Sequence, residues 1–317
     1  VKIILFSNHR ATLSVIDYLN TLGYLEAVVS TDKLRDSHLE IENFCDIKNI
    51  HFLKVNKHDL AIRVGKLFTE IQPDVAVMFG FSYRIPASIY DFPRLGFYNV
   101  HFSMLPAYGG PDPIFWQLKN GEISGGVSIH QVDKDFDTGQ VMMQIALPFI
   151  PGETWGIAEG RHGVLANDMV LRFIEQLNKT DHHSINQSNA FSYYKKITVE
   201  DLTIDWERQT AVQIECLINA ANPVYGGAIT TYRKQPARIL EVSPVEGKGQ
   251  AGVVPGTIIH TDHSGLYVQC MDDNLLRINV LSLNEGVVSG YKMVMLGAER
   301  GERFEVGQLV ATVLDVN

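Results

Sequence analysis

Short β-rich apolar runs alternate with helical periodicity through the first third of this chain, and few architectures can absorb that alternation. Lys2-Ile3-Ile4-Leu5-Phe6-Ser7 is an apolar run of strand character. Behind it Leu13, Ile16, Leu19 and Leu22 recur at helical spacing and stop at Gly23, a residue suited to a helix C-cap. The pattern then repeats: strands are expected at Leu25 to Val29, Phe52 to Val55, Val75 to Phe79 and Gly96 to His101, with a helix near Asp59 to Gln72. Strands interleaved with helices pack as a mostly parallel sheet covered on both faces, so the expected fold class is α/β. Two further strands, Val127 to Val132 and Val141 to Ile150, flank the turn Asp133 to Gly139, and a helix from about Gly156 to Asn178 closes the region.

Beyond that helix the pattern changes. Residues 179–190 are polar and aperiodic and read as a surface linker or excursion. After a helix around Thr210 to Ala221, the chain breaks into short β-rich runs separated by glycine turns: Ala228 to Tyr232, Ala237 to Val242, Gly256 to His260, Leu266 to Gln269, Leu275 to Leu281 and Leu309 to Val313. Frequent short strands argue for a small β-barrel. A chain of 317 residues, at roughly 150 per domain, makes two domains, expected at 1–198 and 199–317.

Charge narrows the partners. The chain holds 27 Lys and Arg against 36 Asp and Glu, a net −9; residues 1–198 carry 18 against 21, the remainder 9 against 15, or −6. Neither part has the basic excess on which tight binding to a nucleic-acid backbone rests. Cys45, Cys216 and Cys270 are scattered and form no CxxC pair, and no His, Cys and Asp set has ligand spacing, so neither a disulfide framework nor a metal site is expected. The apolar start, Ile3 to Phe6, is too short for a signal-peptide core or a bilayer span. A soluble, cytoplasmic protein with no membrane partner is expected.

In open α/β sheets ligands bind outside the carboxyl ends of the strands, which directs attention to the loops after Phe79 and His101. Asn99 and His101, two residues apart on one strand, project to the same side near its end. An amide donor beside an imidazole can hold a developing oxyanion and move a proton, and a carboxylate such as Asp137 would orient or charge that imidazole. Each feature also has a plain structural reading. Asn-x-His can be a hydrogen-bonded strand end, Pro106 to Pro113 with Gly109 and Gly110 a rigid connector, and Asp137-Thr138-Gly139 a tight turn. His130 reads as structural, and His182 and His183 as solvated.

Together and in order, these stretches resemble the N10-formyltetrahydrofolate-dependent formyltransferase family. The run from Asn99-Val100-His101-Phe102-Ser103-Met104-Leu105-Pro106 through Gly110-Pro111-Asp112-Pro113 to Trp116 is similar to that family's Asn-x-His-x-Ser-Leu-Leu-Pro-x-x-x-Gly-x-x-Pro signature. Gly121-Glu122, Gly126-Val127-Ser128-Ile129 and Asp137-Thr138-Gly139 follow where the family has equivalents, and Asp137 lies 38 residues after Asn99, the family's usual interval. Asp201 to Trp206, Asn222-Pro223, Pro255 to Ile259 and Leu281-Ser282-Leu283 resemble the family's C-terminal domain. The resemblance implies a Rossmann-like formyltransferase domain followed by a smaller β-rich, OB-like one.

It also implies a reaction. A primary amine attacks the formyl carbon of 10-formyltetrahydrofolate through a tetrahedral oxyanion. Asn99 and His101 would stabilise that oxyanion, while Asp137 holds the imidazolium and accepts the amine's proton, though the roles of His101 and Asp137 can be apportioned differently. The folate pocket would be lined by Tyr83, Arg84 and Ile85, by Ser103, Met104, Leu105 and Pro106, and by Asp133, Lys134, Asp135 and Phe136, with backbone groups reading the pterin edge.

The acceptor is less constrained. The family's tRNA-directed branch typically carries a basic loop after the second strand and an Arg in the catalytic loop; here Ser30 to His38 is short and mixed in sign, and Gly109 stands at the Arg position. The sugar-nucleotide branch has closer echoes in Phe81-Ser82-Tyr83-Arg84 and in His130. A small-molecule amine such as a nucleotide-linked amino sugar is therefore the expected partner. Initiator methionyl-tRNA is the alternative, and hydrolysis, with water in place of the amine, a further one.

Overall fold

Strand β1 (Ile3–Ser7) is buried along its whole length, and its alternating side chains serve two different cores. Ile3 and Leu5 pack with Val15, Ile16, Leu19, Met169 and Phe173, while Ile4 and Phe6 pack with Val64, Leu67, Phe68 and Phe97. A strand apolar at every position is what a sheet covered on both faces requires. The computed structural model describes residues 1–32, 36–177, 184, 187 and 191–307. These form two units: Val1–Pro113, Ser124–Pro148 and Gly160–Tyr194 in the first, Ile114–Ile123, Phe149–Glu159 and Lys195–Asn317 in the second.

The first unit's sheet adds β2 (Leu25–Thr31), β3 (Phe52–Val55), β4 (Val75–Phe79), β5 (Phe97–His101), β6 (Ser124–Gln131) and β7 (Val141–Pro148), in the order β3-β2-β1-β4-β5-β6-β7. Helices α1 (Leu13–Thr21), α2 (Asp36–Ile47), α3 (Leu60–Ile71) and α4 (Ala87–Tyr90) connect the parallel strands β1 to β5. The expected mostly parallel sheet is thus present, with β6 and β7 extending it antiparallel. That extension matters for the site, because it brings His130 directly opposite Asn99. Chain order reverses direction between β1 and β4, and there Asn8 ties three strand ends together. Its Nδ2 donates to Ser82 Oγ (3.0 Å), and its Oδ1 accepts from Ser30 Oγ and Thr31 N (3.0 Å each).

Helices α5 (Pro113–Lys119) and α6 (Trp155–Leu177) follow β5 and β7. The second unit then runs through α7 (Val199–Leu202), α8 (Ala211–Ala221), β8 (Ala228–Tyr232), β9 (Gln235–Val245), β10 (Ile258–Asp262), β11 (Gly265–Gln269), β12 (Leu275–Leu283), β13 (Gly286–Ser289), α9 (Gly290–Met295) and β14 (Phe304–Val306). Its strands pair antiparallel in the order β10-β11-β12-β9-β8-β14. Ile258 N donates to Glu302 O (2.8 Å) and Phe304 N to Gly256 O (2.9 Å), so the two ends of this order meet and the sheet curls closed. Closure removes the exposed edges that short strands would otherwise leave. Inside, Trp206 is fully buried beside Phe304 and donates its Nε1–H to Thr230 Oγ1 (3.0 Å).

The strand expected at Leu309 to Val313 lies outside the described residues, as do Lys33, Leu34 and Arg35 of the loop after β2, and His182, His183 and the polar stretch 179–190 apart from Ser184 and Gln187. Among the described residues no helix is long and apolar enough to cross a membrane.

Candidate active site

Asn99 and His101 sit at the carboxyl end of β5, and the turn after β6 carries Asp137 back to them. Asp137 adopts φ of 58°, a left-handed conformation that the aspartate side chain tolerates better than most. Its carboxylate is tied at both oxygens. Gly110 N donates to Oδ2 at 2.8 Å; Oδ1 lies 3.4 Å from Asn99 Nδ2, 3.4 Å from His130 Nε2 and 3.7 Å from His101 Nδ1. The triad read from the sequence is therefore assembled, and His130, read there as structural, joins it.

Hydrogen bonds fix which ring nitrogens carry protons. His101 Nε2 lies 2.8 Å from the Tyr108 carbonyl, which can only accept, so Nε2 bears the hydrogen and Nδ1 faces Asp137. His130 Nδ1 likewise donates to the Gln131 carbonyl (2.9 Å), leaving Nε2 to accept from Asn99 Nδ2 at 3.1 Å. His130 Nε2 and Asp137 Oδ1 subtend a narrow angle at Asn99 Nδ2, so a single N–H can serve both.

Burial depresses the His101 pKa below the usual histidine value, against the opposing pull of Asp137 and the Tyr108 carbonyl, so the ring is neutral at neutral pH. For Asp137 the balance runs the other way. Burial alone would raise its pKa, but the positive charge of an imidazolium at His101, the contact with His130 and the Gly110 N–H hold the carboxyl well below the ordinary carboxylate range. The site thus pairs a buried neutral imidazole with a buried carboxylate anion. It can accept a proton at His101 Nδ1 and stabilise the cation so formed.

The residues expected to hold folate fall into two groups. Arg84 joins two of the expected segments, since its guanidinium donates to the Lys134 carbonyl and lies over the Phe136 ring, 5.3 Å from the centroid. Tyr83 beside it donates its hydroxyl to Asp32 Oδ1 (3.0 Å). Asp133 turns inward on its own loop, accepting from Asp135 N (3.1 Å) and Thr138 Oγ1 (2.8 Å). By contrast Ile85 and Leu105 are buried, Ile85 in the core around Phe6 and Phe97. Ser103 is also buried, donating to the Ala107 carbonyl (2.7 Å), while its own carbonyl and the Leu105 N–H are held by Ser128 Oγ. Met104 packs against Gly126, where an added Cβ would lie 2.5 Å from its sulfur, and Pro106 O accepts from Ser192 N (3.1 Å).

Several contributors escaped the sequence reading. His130 could have been found only from the β5–β6 register. The Tyr108 carbonyl and Gly110 N–H are backbone groups with no side-chain signature. Gln187, in the polar stretch, donates Nε2 to the carbonyls of Asp137 (2.8 Å) and Gly139 (2.7 Å).

Gly110 supplies a further test. Its φ is 101°, and an added Cβ would lie 2.1 Å from the Tyr194 carbonyl oxygen. Gly110→Ala is expected to destabilise the protein by roughly 2 kcal/mol or more, through backbone strain and that clash. Calorimetry would register it as a Tm lowered by several degrees.

In an open α/β sheet, an Asn, a His and an Asp gathered at a strand's carboxyl end lie where ligands bind and have the chemistry to polarise a carbonyl and move a proton, the class of site that acyl transfer uses. Family comparison makes it specific. The Formyl transferase model matches residues 42–173 and the Formyl transferase, C-terminal domain model residues 196–295, and the chain belongs to the formyl transferase family. A methionyl-tRNA formyltransferase of Aromatoleum aromaticum is 31% identical over 199 residues, 62% of this chain and 61% of that relative; one from Marinobacter nauticus is 29% identical over 72% of this chain and 75% of its own. The match thus spans about three fifths of the first relative's length. Among solved structures, WlaRD, a sugar 3N-formyl transferase with dTDP and 5-N-formyl-THF, aligns with a TM-score of 0.66 at 16% identity, over 87% of this chain and 96% of that one. An N-formyltransferase from Helicobacter canadensis, in complex with folinic acid and dTDP-3-aminofucose, aligns at 0.67 and 16% identity, over 88% and 98%. These structural likenesses concern the fold alone.

Proposed function

We propose that this chain transfers the formyl group of 10-formyltetrahydrofolate to the primary amine of a small molecule such as a nucleotide-linked amino sugar. The amine nitrogen attacks the formyl carbon. Asn99 Nδ2, with one N–H shared between His130 and Asp137, keeps its second N–H for the developing oxyanion. His101 Nδ1 takes the amine's proton, because Nε2–H is committed to Tyr108, and the Asp137 carboxylate holds the imidazolium. As the carbonyl re-forms, the bond from the formyl carbon to N10 breaks and N10 receives the proton from His101. Arg84, Phe136 and the 133–137 backbone would hold the folate.

The observation that carries the acceptor assignment is Gly109. A side chain there would begin 2.6 Å from the Phe191 ring and 3.3 Å from the Ser192 carbonyl, so the arginine typical of the tRNA-directed branch would have to displace that ring. The net −6 of residues 199–317 supports the same reading, since neutralising RNA phosphates takes clustered Lys and Arg. Methionyl-tRNA is the second reading, favoured by the names of the sequence relatives.

Tetrahydrofolate release from 10-formyltetrahydrofolate, followed with no acceptor, with charged initiator tRNA and with a panel of amino-sugar nucleotides, separates these readings. Turnover is expected only with a sugar nucleotide. Turnover with tRNA alone replaces the acceptor, and equal turnover in water replaces transfer by hydrolysis.

A further inference from the structure

The segment 191–194, 54 to 57 residues beyond Asp137 in the chain, lies along the catalytic loop and pairs with it. Ser192 N donates to Pro106 O (3.1 Å), Gly109 N to Ser192 O (2.8 Å), and Tyr194 N to Gly109 O (2.8 Å). The Ser192 hydroxyl accepts from Tyr108 N at 2.9 Å. The Tyr194 ring stacks on that of Tyr108 at 5.0 Å with an interplanar angle of 5°.

Tyr108 is the residue gripped, and its conformation is an unfavourable one. Its φ is 58°, in the left-handed region that a residue with a Cβ disfavours. Ser192 holds the peptides on both sides of the Tyr108 Cα: its Oγ takes the Tyr108 N–H, and its carbonyl takes the Gly109 N–H. The Gly109 N–H belongs to the same planar peptide as the Tyr108 carbonyl, and the two point opposite ways. One edge of that peptide is therefore fastened to Ser192 while the other faces His101 Nε2–H at 2.8 Å.

We infer that Ser192 is a positioning residue for formyl transfer, pinning the Tyr108 peptide so that its carbonyl holds His101 in the Nε2–H form with Nδ1 turned to Asp137. This rests on the reading of His101 as the proton-exchanging group. The role needs a hydroxyl that accepts, with a backbone carbonyl beside it, and costs the site no reorganisation during reaction.

Two readouts test it. In protein labelled with 15N-histidine, long-range 1H–15N spectra of wild type are expected to show His101 as a single Nε2–H tautomer, its signal assigned by its absence in His101→Gln. Ser192→Ala is expected to give a mixture of tautomers, and Ser192→Thr, which keeps the hydroxyl, to restore the wild-type spectrum. In turnover, Ser192→Ala is expected to lower kcat by about 10- to 100-fold, since a 1 Å misplacement can cost about 10²-fold. The acid limb of its pH profile should move to lower pH, because the Tyr108 carbonyl is one of the groups that raises the His101 pKa. KM for 10-formyltetrahydrofolate should stay unchanged. Ser192→Gly, which also removes the hydroxyl acceptor, supplies a second variant with the same expected direction should Ser192→Ala not fold. A wild-type tautomer and pH profile in whichever variant folds overturns the inference, as does a fall in kcat with both unmoved. The spectra decide the matter without turnover, so an inactive wild type would count against the proposed function and leave the Ser192 test standing.

Discussion

Asp137→Asn is expected to lower formyl transfer about 10²- to 10⁴-fold, the range spanned by removing one acid-base or oxyanion group. The substitution keeps the shape and removes the charge. Wild-type Oδ2 accepts from Gly110 N, and Oδ1 lies against Asn99 Nδ2 and two imidazole nitrogens. An asparagine amide must turn its NH2 either toward the Gly110 N–H or toward the Asn99 donor, placing donor against donor. In either orientation no anion remains to hold the imidazolium.

The same variant carries a stability signature whose sign follows from linkage. The folded-state pKa of Asp137 is depressed, so its carboxylate stabilises the fold above the unfolded value of about 4 and loses that contribution as pH falls through the lower, folded value. Urea titrations should show wild type more stable than Asp137→Asn at pH 7, with the difference shrinking progressively below about pH 4. Loss of the anion also removes one of the influences that raise the His101 pKa, so the residual activity should keep its acid limb at a lower pH than wild type. Wild-type turnover in this variant would remove Asp137 from the mechanism altogether.

What could be read without coordinates divides along the line between local and non-local information. Ile3 to Phe6 announces a doubly covered strand by composition alone, and Phe52–Val55 and Val75–Phe79 fall where apolar runs end at polar or turn residues. The helix α2 was not expected, since Asp36–Ile47 mixes charged with apolar residues and offers only a weak apolar stripe. At the site, Asn99 and His101 are a local pair, legible from strand alternation, and Asp137 became legible through the motif spacing. His130 did not, because β6 meets β5 antiparallel and nothing in the sequence sets that register. Tyr108, Gly110 and Ser192 act through backbone or hydroxyl groups brought together across more than 80 residues, and such contacts leave no periodic trace. Ile85 and Leu105 are compatible with the backbone role expected of them: a motif neighbour of a pocket can serve it through the backbone while its side chain fills the core.

Removal of the imidazole is the second large effect, and the choice of replacement decides what is learned. His101→Ala is expected to cut turnover by about 10²- to 10⁴-fold, but it also strands the Tyr108 carbonyl and opens a buried void. His101→Gln keeps an N–H that can reach that carbonyl and should lose comparable activity with less loss of stability. The pH dependence separates general-base action from packing. In wild type, burial lowers the His101 pKa below its ordinary value of about 6.5, so activity should rise with pH through that lowered value and stay flat across neutrality. Linkage predicts a matching trend in folding. Between the depressed folded value and the unfolded one the unfolded chain binds more protons, so wild-type stability should fall as pH drops below about 6.5, and His101→Gln should lack that component. If His101→Gln loses its activity but its residual rate keeps the wild-type acid limb, the titrating base is another group, and His130, with Nε2 3.4 Å from the same carboxylate oxygen, stands next to be replaced.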